Sequence, residues 1–192
     1  MKVYLAGPDV FLRDAPEVGR RKKDICTQYG LVGLFPLDTA IGTSPVADQG
    51  TPASLHIYRD CVAMMEAADA VIANLTPFRG PSADAGTVYE LGFMAARGKI
   101  CAGYSNQPGT YMERVDHEPL LRDGRRIHVD RDGNDVEDFG LADNLMIVHG
   151  LDACGHSILT PETARADRWR DLALFEKCAR WIAGRSIRAS TA

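Results

Sequence analysis

The chain alternates short apolar runs with longer stretches of helical period. Residues 3–6, Val-Tyr-Leu-Ala, make a run of strand length that Gly7-Pro8 ends sharply. Pro16 suits the opening of a helix that reaches about Tyr29, where Gly30 supplies a C-terminal stop. Residues 31–36, Leu-Val-Gly-Leu-Phe-Pro, predict a second strand. Residues 37–52 carry Asp, Gly, Thr, Ser and Pro without a period, a long loop of the kind that serves function inside compact domains. Leu55, Tyr58, Val62 and Met65 then recur at near-helical intervals and predict a helix over about 53–68, with Asp60 in its middle.

Val71, Ile72 and Leu75 give a third, buried strand, and Thr76-Pro77 and Arg79-Gly80-Pro81 interrupt regular structure after it. Asp84 suits the N-cap of a helix over about 85–97. Residues 99–104 predict a fourth strand, and residues 110–141 are irregular and highly charged. Within them, residues 126–129 and 136–139 flank Arg131-Asp132-Gly133-Asn134, which reads as a hairpin turn. Residues 144–149, Asn-Leu-Met-Ile-Val-His, predict a fifth strand, and Pro161-Glu162 opens a last helix to about Ala183. Five strands alternating with helices imply an α/β, flavodoxin-like doubly wound domain with a mostly parallel sheet. No repeat or linker divides it, so residues 1–192 read as one domain with an irregular insertion at about 109–140.

Asp84 and Glu90 share the crossover from the third strand to its helix, at the carboxyl edge where open α/β sheets keep their ligands. The first strand brings Tyr4 nearby. A carboxylate near a helix start is held ionised by the dipole, and an ionised carboxylate is what attack on an anomeric carbon needs. The ordinary reading of Asp60, Asp84 and Glu90 is a surface or capping role. Their position sets them apart.

Composition narrows the chemistry. A net charge of −4 with mixed signs leaves no field for a nucleic-acid polymer or an anionic membrane, while small nucleosides stay open. The 5 cysteines form no C-x-x-C pair, and the 5 histidines no ligand pair at metal-site spacing, so no metal or cofactor is expected. Gly92 to Lys99 resembles a phosphate loop only faintly, because it ends a helix and lacks the Ser or Thr. The Asp130 to Asp135 cluster lacks the spacing of a calcium loop. No run reaches membrane-spanning length and the N-terminal apolar run is too short for a signal peptide, which makes the cytoplasm the expected location.

With these residues in view, the chain resembles the nucleoside 2-deoxyribosyltransferase family. The matching pieces are residues 3–8 at the first strand, Tyr58-Arg59-Asp60, the segment from Asp84 to Phe93 with Arg97-Gly98-Lys99 after it, and Asp143-Asn144-Leu145-Met146. The resemblance implies a double displacement at the anomeric carbon of a 2′-deoxyribonucleoside. Glu90 matches the nucleophile that forms a covalent deoxyribosyl-enzyme, Tyr4 the tyrosine that orients it, and Asp60 a proton donor to the leaving base. Asp84 matches the residue that holds the sugar through its 5′-hydroxyl. Gly7 belongs to the matching first-strand motif, and Phe11, with Val10 and Phe78, is a candidate to stack on the base. Asn144 and Met146 match residues that reach into a neighbouring subunit's site, which implies a homo-oligomer acting on 2′-deoxyribonucleosides and free nucleobases.

Two other readings stand beside this one. Sibling 2′-deoxynucleoside 5′-monophosphate N-glycosidases share the fold but bind phosphate through a serine at the position of Asp84. A carboxylate there repels a phosphate dianion and accepts well from a hydroxyl. The other is a flavodoxin-like binding domain without catalysis.

Overall fold

In a computed structural model, residues 1–38 and 52–189 are described. The elements are β1 (Lys2–Ala6), α1 (Ala15–Gln28), β2 (Val32–Leu34), α2 (Ala53–Ala67), β3 (Ala70–Asn74), α3 (Ala85–Ala96), β4 (Ile100–Tyr104), β5 (His117–Arg122), β6 (Arg125–Asp130), α4 (Leu145–Ala153) and α5 (Ala173–Ala189). β1 to β4 form a parallel sheet in the order β2-β1-β3-β4, with Tyr4 opposite Leu34 on one side and Val71 on the other. The chain winds outward from β1 in both directions, so the switch point lies between β1 and β3, and ligands bind at the carboxyl ends there.

The two-residue period of β1 sorts its side chains into two cores. Val3 and Leu5 pack with Cys26, Phe35, Ile72, Phe175 and Ile182 under α1 and α5. Tyr4 and Ala6 pack with Met65, Val71, Leu91, Met94 and Leu151 under α2, α3 and α4. Both faces of the sheet are covered, which is why its strands read as continuous apolar runs.

The α/β class and the parallel sheet agree with the expectation, but the strand count does not. Residues 144–149 hold no strand: Asn144 caps α4, its Oδ1 accepting from the Met146 amide at 3.0 Å. A short apolar run fits a buried strand or a buried helix equally, and here Ile147, Val148 and Leu151 bury one helical face while Met146 is left 74% exposed. The fifth place beside β4 falls to Leu159, through one parallel bridge to Tyr104. β5 and β6 form a separate antiparallel pair. The Asp130–Asn134 turn exists and leads to a single bridge between Val129 and Asp135. The longer hairpin turns at Asp123-Gly124, both with positive φ (51° and 74°), as a two-residue Asp-Gly turn requires. α5 starts at Ala173 and not near Pro161, because the Asp167 and Asp171 carboxylates accept local amides and hold the preceding segment in turns. Most of the 37–52 loop lies outside the described residues.

Candidate active site

Asp84 is the N-cap of α3. Its Oδ2 accepts from the Thr87 amide at 3.0 Å and the Thr87 hydroxyl at 3.1 Å, satisfying an orphan donor of the first turn. Its Oδ1 has no protein donor among the described residues. Glu90 comes past the first turn, beyond the reach of the free amides, on the face of α3 that meets β1. There the buried Tyr4 hydroxyl donates to Glu90 Oε1 at 2.6 Å. Burial lifts the Glu90 carboxyl to about 7; the Tyr4 hydrogen bond opposes this and the charge of Asp84 adds to it. The dipole argument for an ionised carboxylate therefore fails at Glu90, because burial outweighs it. The Tyr4 hydroxyl is pushed up strongly, first by burial and then by Glu90, so it stays a donor.

The Cys61 thiol of α2 lies against the Tyr4 hydroxyl, and burial raises its pKa. The charges of both Glu90 and Asp60 act on this thiol. Asp60 is half-buried and its carboxylate accepts no hydrogen bond among the described residues. Tyr4, Glu90 and Asp84 thus converge at one edge of the sheet, and Asp60, beside Cys61 on α2, is linked to them only through the action of its charge on that thiol. No sequence pattern marks Cys61.

Asn144 and Met146 lie elsewhere. Asn144 Nδ2 donates to Glu137 Oε1 at 3.0 Å, and both Asn144 and Met146 line a groove of about 570 Å³ between α3 and α4. Val88, Leu91, Gly92 and Ala95 form its α3 wall, whereas Glu90 is on another face. Arg114 anchors the 109–140 segment near this groove by donating to the carbonyls of Pro81 (2.8 Å) and Ala142 (2.5 Å).

Phe11 is 55% exposed and stacks on Phe78 with centroids 5.3 Å apart and planes at 10°. Arg79 lies over both rings at 4.9 and 4.7 Å, and Trp169 meets Phe78 edge-on at 5.9 Å. Val10 turns instead into the core beneath α1 and α5. Trp169 escapes pattern reading because its surroundings have no period.

Gly7 is required by close approach. A Cβ there would stand 2.5 Å from Asp9 Oδ2 and 2.8 Å from Asn74 Cβ. Gly7→Ala is expected to destabilise the fold toward the upper end of the roughly 1–3 kcal/mol typical of overpacking, read as a lower urea midpoint. An unchanged midpoint would show that the strand end yields. Among the described residues no three His, Cys, Asp or Glu side chains group to hold a metal ion. No described helix is long and apolar enough to cross a membrane.

A family model described as Nucleoside 2-deoxyribosyltransferase matches residues 3–146. The chain belongs to the nucleoside 2-deoxyribosyltransferase family. It is similar over its fold to a 2-desoxiribosyltransferase from Leishmania mexicana, with 27% identity, a TM-score of 0.62 and coverage of 95% of this chain and 97% of that one. A conserved protein from Enterococcus faecalis shares the fold at 18% identity and a TM-score of 0.55, over 95% and 98% of the two chains. An uncharacterized protein of Schizosaccharomyces pombe is 40% identical over 114 residues, 59% of this chain. The match spans about half, 54%, of that relative's length.

Proposed function

We propose that the protein moves the 2-deoxyribosyl group between nucleobases by double displacement. The observation that carries this reading is the 2.6 Å hydrogen bond from the Tyr4 hydroxyl to Glu90 at the sheet edge. Tyr4 fixes one carboxylate oxygen and leaves the other to attack C1′ of a 2′-deoxyribonucleoside. The glycosidic bond breaks with oxocarbenium character, and Asp60 supplies a proton to the departing base. A second base then gives its N–H proton to Asp60 and attacks C1′ from the opposite side, expelling the Glu90 carboxylate, so that two inversions give net retention. Oδ1 of Asp84, without a protein donor among the described residues, accepts from the 5′-hydroxyl. Phe11 supplies an aromatic face to the base, and the compact Gly7 turn brings that face beside β1. Asn144 and Met146 complete the site of a neighbouring subunit in a homo-oligomer; the exposure of Met146 supports this reading.

Incubation with deoxyinosine and free adenine, without phosphate or metal, tests the proposal. Deoxyadenosine is the expected product. Free deoxyribose without deoxyadenosine would make the protein a hydrolase.

Attack needs the ionised carboxylate, and Glu90 loses its proton at about pH 7. The rate kcat/KM is therefore expected to rise with pH along a limb centred near 7. Tyr4→Phe removes the hydrogen bond that favours the charged form, and should move this limb to higher pH. A limb that stays in place in Tyr4→Phe would assign the titration to another group.

A further inference from the structure

Five buried polar side chains outside the Glu90 cluster form one unbroken chain across the carboxyl ends of β1, β3 and β4. Lys22 Nζ donates to Asp9 Oδ2 at 2.6 Å, with both side chains only 1% exposed. Asn74 Nδ2 donates to both Asp9 oxygens, at 3.2 and 3.1 Å. Asn74 Oδ1 accepts from the Thr76 amide at 3.2 Å and the Thr76 hydroxyl at 2.6 Å. Thr76 Oγ1 in turn accepts from the main-chain N–H of Asn106 at 3.0 Å. The last link is Asn106 Nδ2, which donates to the carbonyls of Arg168 and Asp171 at 2.7 and 2.8 Å.

Each part of this network grips one of the segments that carry the aromatic cluster. Asp9 lies in the same short turn as Phe11, Pro8–Phe11. Thr76 lies in the loop that carries Phe78 and Arg79. Asn106 holds the carbonyls on either side of Trp169. The three rings come from chain segments far apart in sequence, and a single set of hydrogen bonds ties those segments together. A buried ion pair adds little net stability over an apolar pair of the same volume, so stability alone does not account for a Lys and an Asp here.

We infer that the Lys22–Asp9–Asn74–Thr76–Asn106 network is the positioning device of the Phe11–Phe78–Trp169 cluster, and so sets the aromatic surface that receives a flat nucleobase. The identity of that ligand rests on the base-exchange reading; the hold on the rings does not. None of the five side chains is assigned contact with the reacting atoms. They act by pre-organising the rings, which lowers the cost of binding the base and leaves the Glu90 chemistry alone.

The test compares Asp9→Asn/Lys22→Met with its parent in a Trp181→Phe background, where Trp169 is the remaining tryptophan of the 2 in the chain. The new amide keeps an oxygen for Asn74 while the ion pair is gone. Acrylamide quenching of Trp169 is expected to rise about twofold, and the adenine Kd and the KM for adenine in exchange with deoxyinosine about tenfold, with kcat held within about threefold. Unchanged quenching with unchanged adenine affinity overturns the inference, as does a fall in kcat at constant KM. A parent that exchanges no base defeats the base-exchange reading, and the Trp169 quenching still decides the role of the network. If the double variant does not fold, Thr76→Val cuts the hydroxyl's links to Asn74 Oδ1 and to the Asn106 main-chain N–H at nearly constant volume, and the same measurements apply.

Discussion

Glu90→Gln is expected to lose base exchange by at least about 10³-fold while making the protein more stable at pH 8. The loss arises because an amide oxygen still accepts from Tyr4 but forms no stable ester with C1′. The gain comes from linkage. The Glu90 carboxyl sits at about 7 in the folded protein against an ordinary 4.5. Between these values the folded chain binds more protons than the unfolded one, so stability falls as pH rises through the interval. Above pH 7 the full cost of the buried charge is present, about 3 kcal/mol for a difference of this size, and below pH 4.5 it is gone. The advantage of Glu90→Gln in Tm should therefore be small near pH 4.5 and reach several degrees at pH 8. Equal advantages at both ends of the range would mean that Glu90 is not strained by burial. Exchange surviving in Glu90→Gln or Glu90→Ala would remove Glu90 from the nucleophile's role.

That strain lies in a part of the molecule that local pattern describes only in part. Asp84 and the helix after it are readable as a capping residue leading into good helix formers, and the structure places the cap on the Thr87 amide. Nothing local joins Tyr4 to Glu90. They are 86 positions apart, and only the register of β1 against β3 and the packing of α3 bring them together, so the family resemblance had to supply the pairing. The run after Asn144 carries too few residues to separate strand from helix by period, and the asparagine itself was the better clue, since it caps α4. Asp123-Gly124 is the two-residue turn that closes the longer hairpin, whereas the denser cluster of Asp, Gly and Asn at 130–135 makes the expected turn but closes only a single bridge. Lys22 had a readable signal. It stands on the stripe of Ala15, Val18, Gly19 and Cys26 that α1 buries, and a lysine on such a stripe requires a partner. The partner, Asp9, lies beyond the Gly-Pro break, where only the fold makes it adjacent.

Lys22→Met alone is expected to cost about 3–5 kcal/mol, a large part of the roughly 5–15 kcal/mol that holds a domain together. Methionine fills the space of the lysine stem and keeps the contact with the Tyr104 and Phe175 rings, which Lys22 Nζ faces at 5.8 and 5.3 Å. What it removes is the ammonium. The Asp9 carboxylate, 1% exposed, then keeps only the Asn74 amide as a side-chain donor among the described residues, and is left as a buried charge that has lost its ion-pair partner. Asp9→Asn introduced into Lys22→Met should restore most of the loss, because the orphaned charge is gone and the Asn74 bond survives. A urea-unfolding cycle over the two single variants and the double variant measures this directly. Additive losses would show that Lys22 and Asp9 do not act as a pair, and a stable Lys22→Met would show that the carboxylate finds solvent. Recovery in the double variant, together with altered Trp169 quenching, would separate the two roles of the pair: each charge is needed to make the other tolerable, and both together set the position of the rings.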